Sequence, residues 1–487
     1  MAKFSRRQVL GGGSALLIGV GLDGAQAARP ANGRLHADVC VVGAGFSGLA
    51  AALRLKQAGR SVIVLEARNR IGGRSLTAPI KGGGWIDLGG QWVGPDQNAF
   101  YGLIKEVGGE TYPTPEVGQS LQRDILEPDK FVKIGNEVTG KYPGSELVEA
   151  AFKKIDALAA SLDPDKPWEV ADAARLDAMT FAEWLNTNVE NANARAAVGS
   201  EVASVACASP EEISILEMAF LVRACHGLDK LFSSQGGAQQ DRLIHGTQPI
   251  AQKVADRLGK GVVRLGQPVR SIKWSDKGAL VRSDAIAVEA RHVIIAVPPN
   301  LAGAIDYDPS PPTNRVQVTQ RWPQGLVIKV QMIYDKPYWR DDGLNGASLD
   351  WRGVVGETAD SGVPEQYSKK CIMTGFIYSG QARKVAPLAL AERRKIVLDE
   401  MAQRFGQKAL EPIDYHEMNW STQQWTRGCF TGFLTPGATT LFKSAVRDPV
   451  GPLHWAGTET STVWPSFIDG AIVSGEREAK AIIGLRG

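Results

Sequence analysis

Apolar and polar positions alternate along this chain in blocks that switch period, and the switches mark its elements. From Asp38 an unbroken apolar run, Val39-Cys40-Val41-Val42, has the length of a strand buried on both faces, and it stops at a glycine-rich turn. A small-residue helical stretch follows, and then a second apolar strand, Ser61-Val62-Ile63-Val64-Leu65-Glu66, which ends in an acid. Much later, Leu326-Val327-Ile328-Lys329-Val330-Gln331 reads as another strand. His454-Trp455-Ala456 is a short strand running into Gly457-Thr458-Glu459-Thr460, and Gly470 to Gly475 opens a glycine- and alanine-rich helix.

The first of these blocks is chemically specific. Its turn is Gly43-Ala44-Gly45-Phe46-Ser47-Gly48, and Glu66 stands 18 residues beyond Gly48. Strand, G-x-G-x-x-G, helix, strand and acid form the dinucleotide-binding fingerprint in its required context. Gly43 permits the tight turn, Gly45 lets a pyrophosphate reach the backbone, and Gly48 lets helix pack on strand. The helix N-terminus supplies N–H donors to phosphate, and Glu66 is placed for ribose hydroxyls.

Composition adds size and solubility. The 487 residues, 44% hydrophobic and 22% charged with 54 glycines, can bury more than one domain's core. The formal charge of +3 offers no basic face for nucleic acid. Five cysteines, Cys40, Cys207, Cys225, Cys371 and Cys429, lack any C-x-x-C spacing, which argues against a zinc site, and their odd number leaves at least one unpaired. No metal-spaced histidines and no Ser-His-Asp pattern are found.

The N-terminus reads as an export signal. Ser5-Arg6-Arg7-Gln8-Val9-Leu10 is a basic start with paired arginines, a weakly apolar run continues to Leu22, and Ala25-Gln26-Ala27 fits a cleavage site. Val9 stands where an aromatic is usual. The expectation is a twin-arginine leader over 1–27, recognised by that export machinery, and a soluble periplasmic protein with no membrane anchor, since no later segment reaches the roughly 18 apolar residues of a span. A homodimer is compatible with this reading.

The residues after Glu66 separate one dinucleotide from another. Ala67-Arg68-Asn69-Arg70-Ile71-Gly72-Gly73-Arg74 and then Asp87-Leu88-Gly89-Gly90-Gln91-Trp92-Val93-Gly94 resemble the FAD-binding segment of the flavin amine oxidases. Arg68 and Arg74 are forks suited to phosphate, whereas Arg70 has the simpler reading of a surface charge. The Gly457 to Gly475 region closely resembles the flavin monoamine oxidases, as do Gly236-Gly237-Ala238-Gln239 and Gln267-Pro268-Val269-Arg270. The resemblance thus spans nearly the whole mature chain.

What it implies is an α/β, Rossmann-like FAD-binding domain made of 36–112, 236–300 and 421–487, with a discontinuous α+β substrate domain made of 113–235, mainly helical, and 301–420, with strands. It implies FAD contacts at Gly43, Gly45, Phe46, Ser47, Gly48, Glu66, Ala67, Arg68, Gly73, Arg74, Gly90, Gln91, Trp92, Val269, Cys429, Gly457, Glu459, Phe467 and Ile468. Phe430 and Phe467 match the two aromatics that sandwich the amine, more often tyrosines. Lys329 matches the lysine that holds a water beside the flavin and assists reoxidation, and Trp420 matches the tryptophan flanking the ring. Cys429 matches the cysteine joined to the flavin in mammalian-type members.

Each has a plainer alternative: core phenylalanines, a solvent-facing strand lysine, a small buried thiol. The implied activity is oxidation of an amine to an imine, with oxygen reduced to hydrogen peroxide. A dehydrogenase passing electrons to a periplasmic cytochrome or copper protein is the alternative, as is an L-amino-acid oxidase using Arg223 as carboxylate clamp. A redox partner without turnover is disfavoured because every site position is filled. Polyamine oxidation would call for acids along a channel, and none can be placed from the sequence.

Overall fold

A computed structural model describes residues 34–135 and 141–485. The expected leader over 1–27 lies outside the described residues. Two large sheets, two small ones of two and three strands, and a helical layer make up the described residues.

The first sheet has eight strands. Its path runs Val263–Arg264, Val62–Leu65, Arg34–Val42, Ala287–Ile295, Gly278–Ser283, Val269–Ser275, Asp306–Asp308, and Leu453–Trp455 joins it on Ala287–Ile295. Arg34–Val42 pairs in parallel with both neighbours, and its inner half is fully covered, so the unbroken apolar run is what its position demands. The sheet reaches beyond the boundary expected at residue 300. Asp306–Asp308 pairs with Val269–Ser275 because the short helix Pro299–Ala302 turns the chain back along that edge.

Helix Phe46–Gln57 crosses between the first two strands and lies against the last helix, Ile468–Gly484. The approach is close enough that small residues are obligatory. A Cβ on Gly48 would stand 2.0 Å from the Gly43 carbonyl oxygen, and one on Gly475 would stand 2.0 Å from that of Ser47. The hydroxyls of Ser47 and Ser474 meet at 3.0 Å in the same seam.

The second sheet has seven strands in the order Asp414–Asn419, Val327–Tyr334, Cys371–Tyr378, Glu357–Asp360, Leu344–Leu349, Gln119–Arg123, Phe131–Ile134. Val327–Tyr334 is flanked antiparallel on both sides, and all eight of its residues are buried. The expected solvent-facing alternative for Lys329 therefore does not hold.

Helices Ser145–Ala160, Phe181–Asn188, Ala192–Ala206 and Ile215–Ala224 share one apolar core with Phe433 and Trp464. A capping box between Thr180 and Glu183 starts the second of them. Among the described residues no helix is long and apolar enough to cross a membrane.

Gly475→Ala is expected to cost about 1–3 kcal/mol by overpacking the two-helix seam. A lowered thermal unfolding midpoint with a weakened hold on cofactor checks it; an unchanged midpoint counts against the seam as described.

Candidate active site

A cleft opens at the carboxyl ends of the first sheet's central strands. Gly43, Gly45, Phe46, Ser47, Glu66, Ala67, Arg68, Gly73, Arg74, Gly90, Val269, Cys429, Gly457, Glu459, Phe467 and Ile468 all line it. The turn at Gly43 has φ +102°, and a Cβ there would meet the Ala296 carbonyl oxygen at 2.7 Å. Gly48 lies behind the wall, as a packing residue. Glu66 is held by the Ala44 N–H at 2.7 Å and the Arg68 N–H at 2.9 Å, so its carboxylate faces the cleft in a fixed pose.

The arginines divide their labour differently from the sequence expectation. Arg74 is not a free phosphate fork. It donates to Glu459 at 2.7 Å and to the Phe430 carbonyl oxygen at 2.7 Å. Burial alone would lower its pKa, and Glu459 overrides this and holds it above the usual value. Arg70 is no solvated surface charge: it donates to the carbonyls of Ile71, Gly73 and Ser75 and clamps the loop. Arg68 remains, with Nη2 buried and unpartnered, and its pKa is lowered by burial to about 10. An unpaired buried donor in a glycine-walled cleft is the arrangement an anionic diphosphate would satisfy. The hydroxyl of Ser466, also unpartnered, is in the same wall. These residues fit FAD.

A second cavity adjoins the cleft and shares Gly90, Phe430, Ser466, Phe467 and Ile468 with it. The two phenylalanines thus stand at the junction. Phe430 meets Phe376 and Tyr378 edge-on at 5.9 and 6.1 Å, and Phe467 meets Trp464 at 5.1 Å. Gln91 and Trp92 line this second cavity rather than the cleft. Trp420 lines neither. It is buried behind Cys429, with its indole N–H on the Leu88 carbonyl oxygen at 2.9 Å.

Lys329 reaches the second cavity with its ammonium nitrogen donating to the Gly89 carbonyl oxygen at 2.8 Å and to Gln91 Oε1 at 2.5 Å. Burial lowers its pKa from 10.5 to about 7, against the pull of Asp87. Cys429 is buried in the cleft wall; burial pushes its thiol up to about 12, opposed by Arg74 and Lys329. None of the five cysteines is paired.

Sequence reasoning missed the acids. Glu201 and Glu357 both line the second cavity, and the side chains that bond them, Gln122 and Tyr378, are neutral. Burial raises Glu201 to about 8, with Glu357 adding to the rise, and burial also raises Glu357, which accepts the Tyr378 hydroxyl at 2.8 Å. Glu201 left one trace in the sequence: it is the single acid in Ala192–Ala206, a helix otherwise rich in alanine, serine and valine. Arg223 is exposed and donates to the Leu162 carbonyl oxygen, away from both cavities, so it cannot clamp a carboxylate there. Among the described residues no cluster of metal-ligating side chains occurs.

Residues 46–483 match the family model described as flavin containing amine oxidoreductase. The chain is 36% identical over 448 residues to a probable flavin-containing monoamine oxidase A of Dictyostelium discoideum, covering 91% of this chain and 97% of that one. It is 36% identical over 461 residues to an L-amino acid dehydrogenase of Synechocystis, covering 92% and 95%. Wild-type putrescine oxidase bound to putrescine superposes with a TM-score of 0.88 at 34% identity, covering 93% of this chain and all of that one (100%).

The unfolded chain keeps the Lys329 proton up to about pH 10.5 and the folded chain releases it near 7, so the unfolded state binds more protons between those values. Stability contributed at this position therefore rises with pH through that window. Relative to Lys329→Met, the wild type should gain in denaturant midpoint as pH is raised across it; a pH-independent difference would refute the buried, depressed lysine.

Proposed function

Since this chain belongs to the flavin-containing amine oxidoreductases and oxidises amines with FAD, we propose that its substrates carry a second cationic group, received by Glu201 and Glu357. The observation that carries this reading is the pair of buried acids in the second cavity, bonded by neutral side chains. Burial shifts both carboxyls towards their neutral forms; an ammonium favours their ionised forms and is held in return. The likeness to a putrescine oxidase supports a diamine.

Bound FAD supplies the two-electron acceptor for this chemistry. The chain's own residues bind, orient and keep the site dry. Arg68 and the N-terminus of helix Phe46–Gln57 receive the diphosphate, and Glu66 receives the ribose. Phe430 and Phe467 flank the reacting amine at the junction of cleft and cavity, and their apolar faces exclude water from the carbon that loses its hydrogen. The amine must arrive as the free base, losing two electrons and two protons to become an imine, which water hydrolyses to a carbonyl compound and an amine or ammonia.

Lys329, close to neutral at physiological pH, holds a water through a hydrogen-bonding position left over from Gly89 and Gln91. That polar group next to the cofactor supports oxygen as the electron acceptor, with hydrogen peroxide as product. The amino-acid reading has no cavity arginine to support it, since among the described residues Lys329 is the only basic one in the second cavity's lining. The paired arginines Arg6 and Arg7 with Ala25-Gln26-Ala27 support twin-arginine export to the periplasm.

Cys429 is the thiol proposed to join the cofactor covalently. It is buried, unpaired and in the cleft wall, with Arg74 as the cation that favours its thiolate.

Two measurements bear on this. In anaerobic flavin-bleaching assays, Glu357→Gln should weaken putrescine use by at least about tenfold, from the loss of a buried charge partner, and leave butylamine nearly unchanged. Equal loss for both amines would sink the second-cation reading. Acid precipitation should leave the yellow colour in the pellet for the wild type and in the supernatant for Cys429→Ala; colour wholly in the wild-type supernatant would exclude the bond.

A further inference from the structure

Behind Lys329 lies a fully buried polar cluster that the reaction as described does not use. Lys329 and Gln331 point to the same face of their strand, one period apart, and meet the segment carrying Asp87, Gly89 and Gln91. Lys329 bonds the Gly89 carbonyl oxygen and Gln91, while Gln331 Nε2 donates to the Asp87 carbonyl oxygen at 3.0 Å. Gln91 Nε2 donates to Ser361 Oγ at 3.1 Å, and the Thr374 hydroxyl lies 2.7 Å from Ser361 Oγ and 2.8 Å from Gln331 Oε1. The partners that touch Lys329 directly are therefore neutral, and their positions are locked.

The charges stand one layer back. The Asp87 carboxylate is completely buried; its Oδ1 accepts the Thr77 hydroxyl at 2.6 Å and the Thr247 N–H at 3.1 Å. Its Oδ2 has no hydrogen bond and faces the Arg242 guanidinium at 3.9 Å. Arg242 is equally buried and is fixed by the Ser361 and Gly362 carbonyl oxygens. A 3.9 Å gap without a hydrogen bond leaves each charge only partly spent on the other, so both act on a third buried group.

We propose that Asp87 and Arg242 are positioning residues that set, by their opposed charges, whether Lys329 stands beside the cofactor as ammonium or as amine. This rests on the reading of Lys329 given above. The directions agree with the geometry: after burial itself, Asp87 favours the charged lysine and Arg242 disfavours it. Two further titratable groups border the cluster. Tyr112 lies with its ring 5.5 Å from the Arg242 guanidinium, and Asp360 is paired with Arg340 at 2.8 Å. The lysine's charge state matters because a cation next to a centre that gains electrons stabilises the negative charge developing there.

The test reads the lysine itself. Holoenzyme carrying lysine labelled with 13C at Cε is titrated by NMR, and the Lys329 signal is the one absent from Lys329→Met. Asp87→Asn keeps the amide oxygen for Thr77 and Thr247, and Arg242→Gln keeps a donor for Ser361, so both should fold; circular dichroism checks this. Asp87→Asn should lower the Lys329 midpoint, and Arg242→Gln raise it, each by at least about one pH unit. Arg242→Lys, which keeps the charge, should return it towards the wild-type value. Midpoints that stay put, or move in the same direction in both variants, overturn the proposal. Stopped-flow reoxidation by oxygen is followed in parallel: a midpoint that moves while reoxidation ignores Lys329→Met upholds the tuning and defeats the role given to the lysine.

Discussion

The contact between Arg74 and Glu459 joins residues 385 apart and is the constraint on which the site's geometry depends. Arg74 ends the glycine-rich segment that follows the first two strands; Glu459 sits just past the last one. The same guanidinium takes the Phe430 carbonyl oxygen, so three distant parts of the chain converge on one planar cation. Glu459 in turn accepts Gln324 and the Gly432 N–H, which fixes the segment carrying Cys429 and Phe430. Breaking a buried pair of this kind leaves an uncompensated charge, at about 3–5 kcal/mol. Cleft wall, thiol and aromatic junction therefore stand or fall with it.

Much of the first sheet was legible because its demands on sequence are local. A strand covered on both faces must be continuously apolar, and a turn approached by backbone must be glycine, so Val39 to Gly48 could be read directly. The edge strand Asp306–Asp308 was not, since three residues of half-exposed polar chain carry no period. At the site, the resemblance brought the residues of the cleft together by number, but it assigned Arg74 to phosphate. Only the fold shows that its partner is a carboxylate from the far end of the chain. Glu201 and Glu357 were invisible for a related reason. An acid on a helix or strand reads as a solvated position until the cavity it faces is known.

Electrostatically the molecule is arranged to keep charges scarce around the reacting centre. Lys329 is depressed towards neutrality, and Glu201 and Glu357 are raised towards it. The strong pair, Arg74 with Glu459, and the looser one, Asp87 with Arg242, lie outside the aromatic junction. A neutral lining suits an amine that has to shed its own proton before it can react, because a fixed negative charge beside the nitrogen would hold that proton in place.

The discontinuity of the first sheet bears on how the protein is made. Leu453–Trp455 and the helix Ile468–Gly484 complete the sheet and the cleft that opens on Gly43. During synthesis the glycine turn emerges early and waits for more than four-fifths of the chain before its wall exists. Such long-range pairing folds slowly. Retention of a cofactor by this cleft would then report that translation had reached the last helix, making ligand capture a check on the completeness of the chain.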